Sequence, residues 1–526
     1  MAQPTTPTPR VENTPPALVY NTVEEIDQLV QELRTQTNTQ QFRHSLAKRR
    51  EQLAAFFRMI DENQRAWEEA IWKDVRKGNV ECQMVEILPS LREIGGAIKH
   101  LDSWTKDTKP SKELTFMTCS LTVRKEPMGM VLLVGPWNYP LRLLAKPLAG
   151  ALAAGNTVVI KPSEISCHTT ALMARLINQY MDPTVVQVVV GGVEETTALL
   201  THRFDHIFFT GSSHVGRVVM RAASEHLTSV TLELGGKSPT LLFPDAHLRI
   251  SIQRIMWGKF INAGQSCVAP DYLICTQEHL PQVVDTFRQV IEEFYGTEPK
   301  SSKDYGRIIN VRNFQRLLGL VKSNSACEMP IGKLEQWDES DLYIPPTVLT
   351  NVQHSDAIMR EEIFGPILPI LTMDTAEEMV TFINQFDHPL ALYVFSNDRK
   401  TIDYVISHTT SGGVCVNDVG LQVESITTPF GGVGPSGIGS YNGQYTFEAF
   451  THDRTVVGNS FVVPFDKVLQ LRYPPYEGQG NTWKTRLMNF LLAPRRPSEK
   501  KSSAYVTAVK TAVVAAVTAV TAYFLL

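Results

Sequence analysis

Two side chains in this sequence, Cys267 and Glu233, have the types and settings needed for covalent catalysis on a carbonyl group. A cysteine thiolate attacks a carbonyl carbon, and a carboxylate activates water against the acyl thioester left behind. Cys267 ends the run Gly264-Gln265-Ser266-Cys267, whose small residues allow close approach of a substrate. Taken alone, a free cysteine is more often a small buried hydrophobe. Attack needs the thiolate, so the site must lower the thiol pKa or supply a base. Glu233 closes an apolar stretch (Val230, Leu232) and precedes Leu234-Gly235-Gly236. The ordinary reading of such a glutamate is a solvated strand end. The two glycines permit a sharp turn that aims the carboxylate into a cleft.

A third candidate, Asn138, sits in Gly-Pro-Trp-Asn-Tyr-Pro just past an apolar strand at residues 130–134. Turn chemistry accounts for Pro136 and Pro140. An amide beyond the carboxyl end of a parallel strand is also where doubly wound sheets bind ligands. With the backbone N–H of Cys267, it could donate to the oxyanion formed by thiolate attack.

Two glycine runs compete as dinucleotide sites. Residues 432–437 spell G-x-G-x-x-G but follow Thr428-Pro429-Phe430 rather than a strand, and more glycine comes after, so this run reads as a loop. The better candidate spans Gly211, Ser212 and Gly216, which follow a strand at residues 206–210 and open a helix. Its spacing matches a phosphate-binding loop, yet Arg217-Val218 replaces the Lys-Ser/Thr of a nucleotide triphosphatase. Helix N-terminal amides can instead hold a pyrophosphate.

The runs F-F-T-G-S, L-E-L-G-G-K-S-P, G-Q-S-C and E-E-I-F-G-P, in this order and spacing, resemble the aldehyde dehydrogenase superfamily over residues 22–462. That resemblance implies Cys267 as nucleophile, Glu233 as general base for thioester hydrolysis, and Asn138 as an oxyanion donor. It further implies that Gly211, Ser212 and Gly216 hold the cofactor pyrophosphate and that Lys161 and Glu164 bond the adenosine ribose. Glu362 and Phe364 match the positions holding the nicotinamide ribose and ring, and Trp137 belongs to the same cofactor-binding set. A carboxylate at Glu164 favours NAD by repelling a 2′-phosphate; NADP is the second candidate.

Further details resemble the class 3, membrane-anchored fatty-aldehyde branch. They are V-N-D-V at 416–419, P-F-G-G-V-G-x-S-G-x-G-x-Y at 429–441 and R-Y-P-P-Y at 472–476. Asn442 departs from that branch, which usually has histidine there, and Pro435 stands where asparagine is usual. The implied reaction is oxidation of medium- to long-chain aliphatic aldehydes to acids by a homodimer. A cysteine-dependent esterase or thioesterase and a non-catalytic membrane scaffold are the competing readings.

The elements that must position these residues follow from the hydrophobic pattern. Residues 42–73 carry apolar positions at helical spacing. Apolar strands at 130–134, 157–161, 185–190 and 206–210 alternate with helices at 141–154, 166–180 and 194–200. A second series holds strands at 239–243, 272–276, 367–371 and 413–417. This pattern predicts an α/β protein of two doubly wound parallel-sheet domains, each buried on both faces. The expected cofactor domain covers residues 21–112 and 127–231, and the catalytic domain 232–418. Extended segments at 114–125 and 447–463 are expected to form a bridging, oligomerising β element within residues 113–126 and 445–463.

With 526 residues, 43% hydrophobic and 20% charged, the chain can bury large cores. A net charge of −4 gives no footprint for nucleic acid. Seven cysteines without a C-x-x-C pair, and histidines without metal spacing, suggest neither a disulfide framework nor a metal site. The Pro-, Thr- and Gln-rich residues 1–20 read as a disordered leader. Residues 481–492 read as a short amphipathic helix, within an amphipathic and basic stretch at 478–503. Residues 504–526 hold one charge, Lys510. As a helix they would span roughly 30–35 Å, about one bilayer core. Arg495, Arg496, Lys500 and Lys501 lie just upstream and predict a cytosolic flank. The expected location is therefore a membrane anchored through lipid contact. The catalytic domains would face the cytosol from the endoplasmic reticulum, outer mitochondrial membrane or peroxisome.

Overall fold

The computed structural model describes residues 16–39, 41–112, 116, 119–323, 327–459, 461 and 473–474. They fall into two compact units. The larger comprises residues up to 104 together with 127–451, and the smaller comprises residues 105–126 together with those from 452 onward.

In the larger unit, Met130–Val134 (β2), Thr157–Lys161 (β3), Val186–Val188 (β4), His206–Thr210 (β5) and Ser229–Glu233 (β6) form a parallel sheet. The short strand Gly437–Ile438 (β14) adds antiparallel to β6, giving the order β14-β6-β5-β2-β3-β4. Alternate residues of β2 enter opposite cores. Met130, Leu132 and Val134 join one cluster, and Val131 and Leu133 the other. Full burial of β2, β3 and β5 on both faces explains why their centres read as apolar runs.

The second sheet holds Pro239–Leu242 (β7), Tyr272–Cys275 (β8), Glu328–Ile331 (β9), Thr347–Thr350 (β10), Ile367–Thr372 (β11), Ala391–Phe395 (β12) and Gly413–Val416 (β13). Its order is β13-β12-β7-β8-β11-β10-β9, parallel except for β9. Here too the faces split, Leu241 and Ile274 on one side and Leu242 and Leu273 on the other.

In the smaller unit, Ser120–Pro127 (β1) pairs with Thr451–Gly458 (β15). The extended segment expected from residue 447 begins later, because Gln444–Ala449 is a helix that buries Phe447. Residues 42–73 are helical as their spacing predicts, in three helices that break at Ser45 and Asn63. Ser45 caps the second of them, its hydroxyl accepting from Lys48 N–H at 3.2 Å.

Among the described residues, no helix is long and apolar enough to cross a membrane. The leader through residue 15, the helix expected at 481–492 and the anchor expected at 504–526 lie outside the described residues, as do parts of the two expected bridging segments.

Candidate active site

Every candidate on the first sheet lies at the carboxyl end of a parallel strand. Asn138 follows β2, Lys161 ends β3, Gly211 follows β5 and Glu233 ends β6. Parallel strands leave their carboxyl ends open for ligands. The second half contributes from the opposite direction, since Cys267 precedes β8 and Glu362 and Phe364 precede β11.

Cys267 and Glu233 line one cavity, whose walls are mostly apolar and include Leu143, Val268, Val423 and Phe430. Arg142 is the cation among the described lining residues, and it is paired with Glu424 at 2.6 Å. Glu233 is buried, and neither carboxyl oxygen has a hydrogen-bond partner among the described residues. Burial alone drives its pKa well above the ordinary carboxylate value. The Cys267 thiol is pushed up to about 12 by burial first, and then by Glu362 and Glu233. Burial therefore disfavours the charged form of both groups.

Cys267 is presented by an unusual turn. Asn262, Ala263 and Gly264 have φ of 52°, 50° and 75°, so three successive residues are left-handed. For non-glycine residues this costs about 1–2 kcal/mol each, and buried amides hold it in place. The Asn262 Nδ2 donates to the carbonyls of Asn138 (2.9 Å) and Gln265 (3.0 Å). The Gln265 Nε2 donates to the Asn262 and Arg307 carbonyls, and its Oε1 accepts from Ile309 N–H. Gly264 has no substitute, because a Cβ would lie 2.3 Å from the Gly365 carbonyl oxygen. In return, the buried Asn138 Nδ2 donates to the Gln265 carbonyl at 3.1 Å, two residues before the thiol. The amide is therefore tied to the loop that carries Cys267.

The cofactor candidates also assemble. Lys161 Nζ meets Glu164 Oε2 at 2.9 Å. Ser212 caps the helix Ser213–Glu225, its hydroxyl accepting from Val215 N–H at 3.3 Å. Gly216 is buried, and a Cβ there would meet the Leu234 side chain at 2.8 Å, so the helix packs closely on the residue that follows β6. The Glu362 carboxyl lies against Gly235, where a Cβ would come within 2.4 Å of it, and accepts from Gly236 N–H. Burial raises Glu362 to about 8. Trp137 and Phe364 pack edge to face with centroids 5.4 Å apart. A helix N-terminus, a lysine–carboxylate pair and an aromatic wall along one side of a sheet fit a dinucleotide. The run at 432–437 is a loop entering β14, and the Pro435 carbonyl accepts from Ser213 Oγ at 3.0 Å.

Sequence reasoning missed Asn262, Gln265 and Arg142. The available signal was a polar pair, Asn262 and Gln265, inside an otherwise apolar segment. Asn442 accepts Lys146 Nζ at 2.9 Å and donates to the Val423 carbonyl, so it braces a cavity wall.

Asp74, Cys167 and His168 bring potential ligand atoms within 4.8 Å of one another. Asp74 is already engaged there, accepting from His168 N–H, Thr169 N–H and the Thr169 hydroxyl at the start of the helix Cys167–Tyr180. A helix N-terminus disfavours a cation, so this cluster reads as a cap. A larger cavity, lined by Arg34, Thr37, Arg203 and Asp205 among others, lies at the amino edge of the first sheet, away from Cys267.

Such a two-sheet frame around a cysteine, a buried carboxylate and a dinucleotide shelf defines a class of oxidoreductase. The model of the aldehyde dehydrogenase family matches residues 11–456, and the chain belongs to that family. It is 46% identical over 431 residues to the rat "Aldehyde dehydrogenase, dimeric NADP-preferring", covering 82% of this chain and 94% of the relative. Identity to the human "Aldehyde dehydrogenase family 3 member B1" is 45% over 424 residues, covering 81% and 89%. Among solved structures, a substrate-bound Staphylococcus aureus AldH superimposes with a TM-score of 0.84 at 39% identity, covering 88% of this chain and 99% of that one. An NAD+ complex of a Bacillus cereus aldehyde dehydrogenase gives 0.74 at 27% identity, covering 84% and 90%.

Proposed function

We propose that this aldehyde dehydrogenase oxidises medium- to long-chain aliphatic aldehydes to carboxylic acids through a thioester on Cys267. The carrying observation is that Cys267 and an unpartnered Glu233 share one largely apolar cavity. Apolar walls suit an alkyl chain, which gains about 0.8 kcal/mol per buried methylene.

The Cys267 thiolate adds to the aldehyde carbon, and the new alkoxide is held by Asn138 Nδ2 and the Cys267 N–H. NAD or NADP, when bound, would supply the hydride acceptor for this carbon. Lys161 and Glu164 would hold its adenosine ribose, the Gly211–Gly216 turn its pyrophosphate, and Glu362, Phe364 and Trp137 its nicotinamide end. Glu233 then takes a proton from water, which attacks the thioester and releases the acid and the thiol. Its lack of any fixed partner leaves both oxygens available for that water.

The name of the rat relative supports a dimer and use of NADP as well as NAD. Residues 504–526 anchor the enzyme in a membrane with the catalytic unit on the cytosolic side. Cell fractionation with and without residues 478–526 tests this, and an unchanged distribution removes the anchor.

The function is tested with aldehydes from hexanal to hexadecanal, following absorbance of the reduced cofactor with NAD and with NADP. Turnover should persist to the longest chain and vanish in Cys267→Ala. Hydrolysis of p-nitrophenyl esters without any cofactor-dependent aldehyde turnover would refute the reading.

A further inference from the structure

The cavity holding Cys267 opens beside a cluster of exposed apolar side chains that nothing in the catalytic cycle uses. A continuous helical stretch runs through Asn79–Cys82, a π turn Gln83–Ile87 and Leu88–Trp104. Along it Val80, Met84 and Leu88 recur every four residues and are 77%, 42% and 55% exposed. The opposite face of the same turn is buried, and Val85, beside Met84, lines the cavity. Arg92, the next position in this recurrence, donates to the Glu424 carbonyl and carboxylate at 2.6 and 3.0 Å. The row therefore runs up to the short helix Leu421–Glu424, whose Leu421 is 55% exposed. Across the mouth stands Trp257, part exposed and part cavity wall, with its ring against Gly420.

Scattered exposed apolar residues are normal on any protein, whereas a cluster rimmed by charge marks an interaction surface. We propose that Val80, Met84, Leu88, Leu421 and Trp257 form a lipid-facing rim that rests on a bilayer surface and admits aldehydes from the membrane straight into the cavity. The proposal depends on the fatty-aldehyde reading above. Trp257, Gly420, Val423 and Glu424 are among the more exposed of the cavity's described lining residues, and a bilayer resting on them both covers the rim and supplies the substrate. Tryptophan favours the membrane interface. The guanidinium groups of Arg92 and Arg254 beside the rim are half-exposed, each paired with one carboxylate (Glu424 and Asp418) and keeping outward N–H groups for lipid phosphates. Hexadecanal partitions into lipid and hexanal largely into water, so the rim should matter for the first and not the second.

The test compares the full-length wild type with the variant Val80→Ser, Met84→Gln, Leu88→Gln and Leu421→Gln. Each is assayed on hexanal in buffer and on hexadecanal carried in phosphatidylcholine vesicles. The variant should keep its hexanal kcat/KM and lose about tenfold on vesicle-borne hexadecanal. Quenching of tryptophan fluorescence by brominated phosphatidylcholine should fall with it. Should the fourfold variant lose hexanal activity, the single change Leu88→Glu is read in the same assays. Unchanged vesicle kinetics and quenching overturn the rim. So does a change in oligomeric mass, which would assign the face to a second copy, or faster turnover of both aldehydes, which would assign it to the chain's own tail. A wild type active on hexanal but inert toward hexadecanal in detergent sinks the fatty-aldehyde reading instead.

Discussion

Lys77 Nζ lies 2.7 Å from Glu86 Oε1, and both side chains are fully buried. The pair reaches the active site from two directions. Lys77 also approaches the Asn138 carbonyl at 3.4 Å, while Glu86 Oε2 accepts from Arg142 N–H at 3.0 Å. The loop carrying Asn138 is thus clamped at its back by a fully buried ion pair. Removing one partner leaves an uncompensated buried charge, which costs about 3–5 kcal/mol. Lys77→Met should lower stability by that order in urea unfolding. Adding Glu86→Leu should recover much of the loss, because the charge buried at Glu86 is gone, while kcat stays depressed as the loop loosens. Full recovery of kcat in the double variant would show that the pair does not position Asn138.

Asn138→Ala should cost about 10²–10³ in kcat, the usual effect of deleting one oxyanion donor. The lost bond to the Gln265 carbonyl is worth only about 1 kcal/mol of stability. The two effects separate cleanly in a comparison of single-turnover rate with melting temperature. A kcat within a factor of about three of wild type would remove Asn138 from the oxyanion role.

These expectations show where the sequence was readable. The strands at 130–134, 157–161 and 206–210 were legible to the residue because burial on both faces makes their centres apolar runs. Strands β9, β10 and β12 went unread. Of these, β9 is a part-exposed edge strand, and β10 begins and ends in threonine, so neither presents a long apolar signal. The motif residues were placed by resemblance, but the devices supporting them were not. Asn262 and Gln265 act through bonds to carbonyls 124 and 42 residues away in sequence, and no local pattern encodes such pairings. Arg142 and Lys146 sit in an otherwise apolar helix, and what they grip, Glu424 and Asn442, lies some 280 and 296 residues further on.

Cofactor preference should turn on Glu164. Its carboxylate is half-buried and held by Lys161 at 2.9 Å, so a 2′-phosphate entering there would meet a fixed negative charge. Glu164→Gln should raise kcat/KM for NADP relative to NAD by about tenfold, since relief of even a partly screened like-charge contact is worth about 1.4 kcal/mol. The ratio is read from initial rates at subsaturating cofactor. An unchanged ratio would place the discrimination elsewhere.

Glu233 should reveal itself through both kinetics and stability. Its raised pKa means that the folded state keeps the proton after the unfolded chain has released it. Protonation therefore favours the folded state fully at pH values below the unfolded carboxyl pKa. That contribution is lost as pH rises toward the folded value. Glu362, raised to about 8, and Glu81, raised to about 7, act in the same sense between about pH 4.5 and 8, whereas buried His206, held down to about 4, acts in the opposite one. Glu233→Gln removes one of these ionisable groups. Its melting temperature should match wild type near pH 4.5 and exceed it near pH 8. The same variant should still give a pre-steady-state burst of reduced cofactor, since in the proposed mechanism thiolate attack and hydride loss precede the hydrolytic step. Steady-state acid release should slow by about 10²-fold, the scale of a lost general base. A variant that gains no stability at pH 8 and keeps full steady-state turnover would show that this carboxyl is neither strained by burial nor used on the thioester.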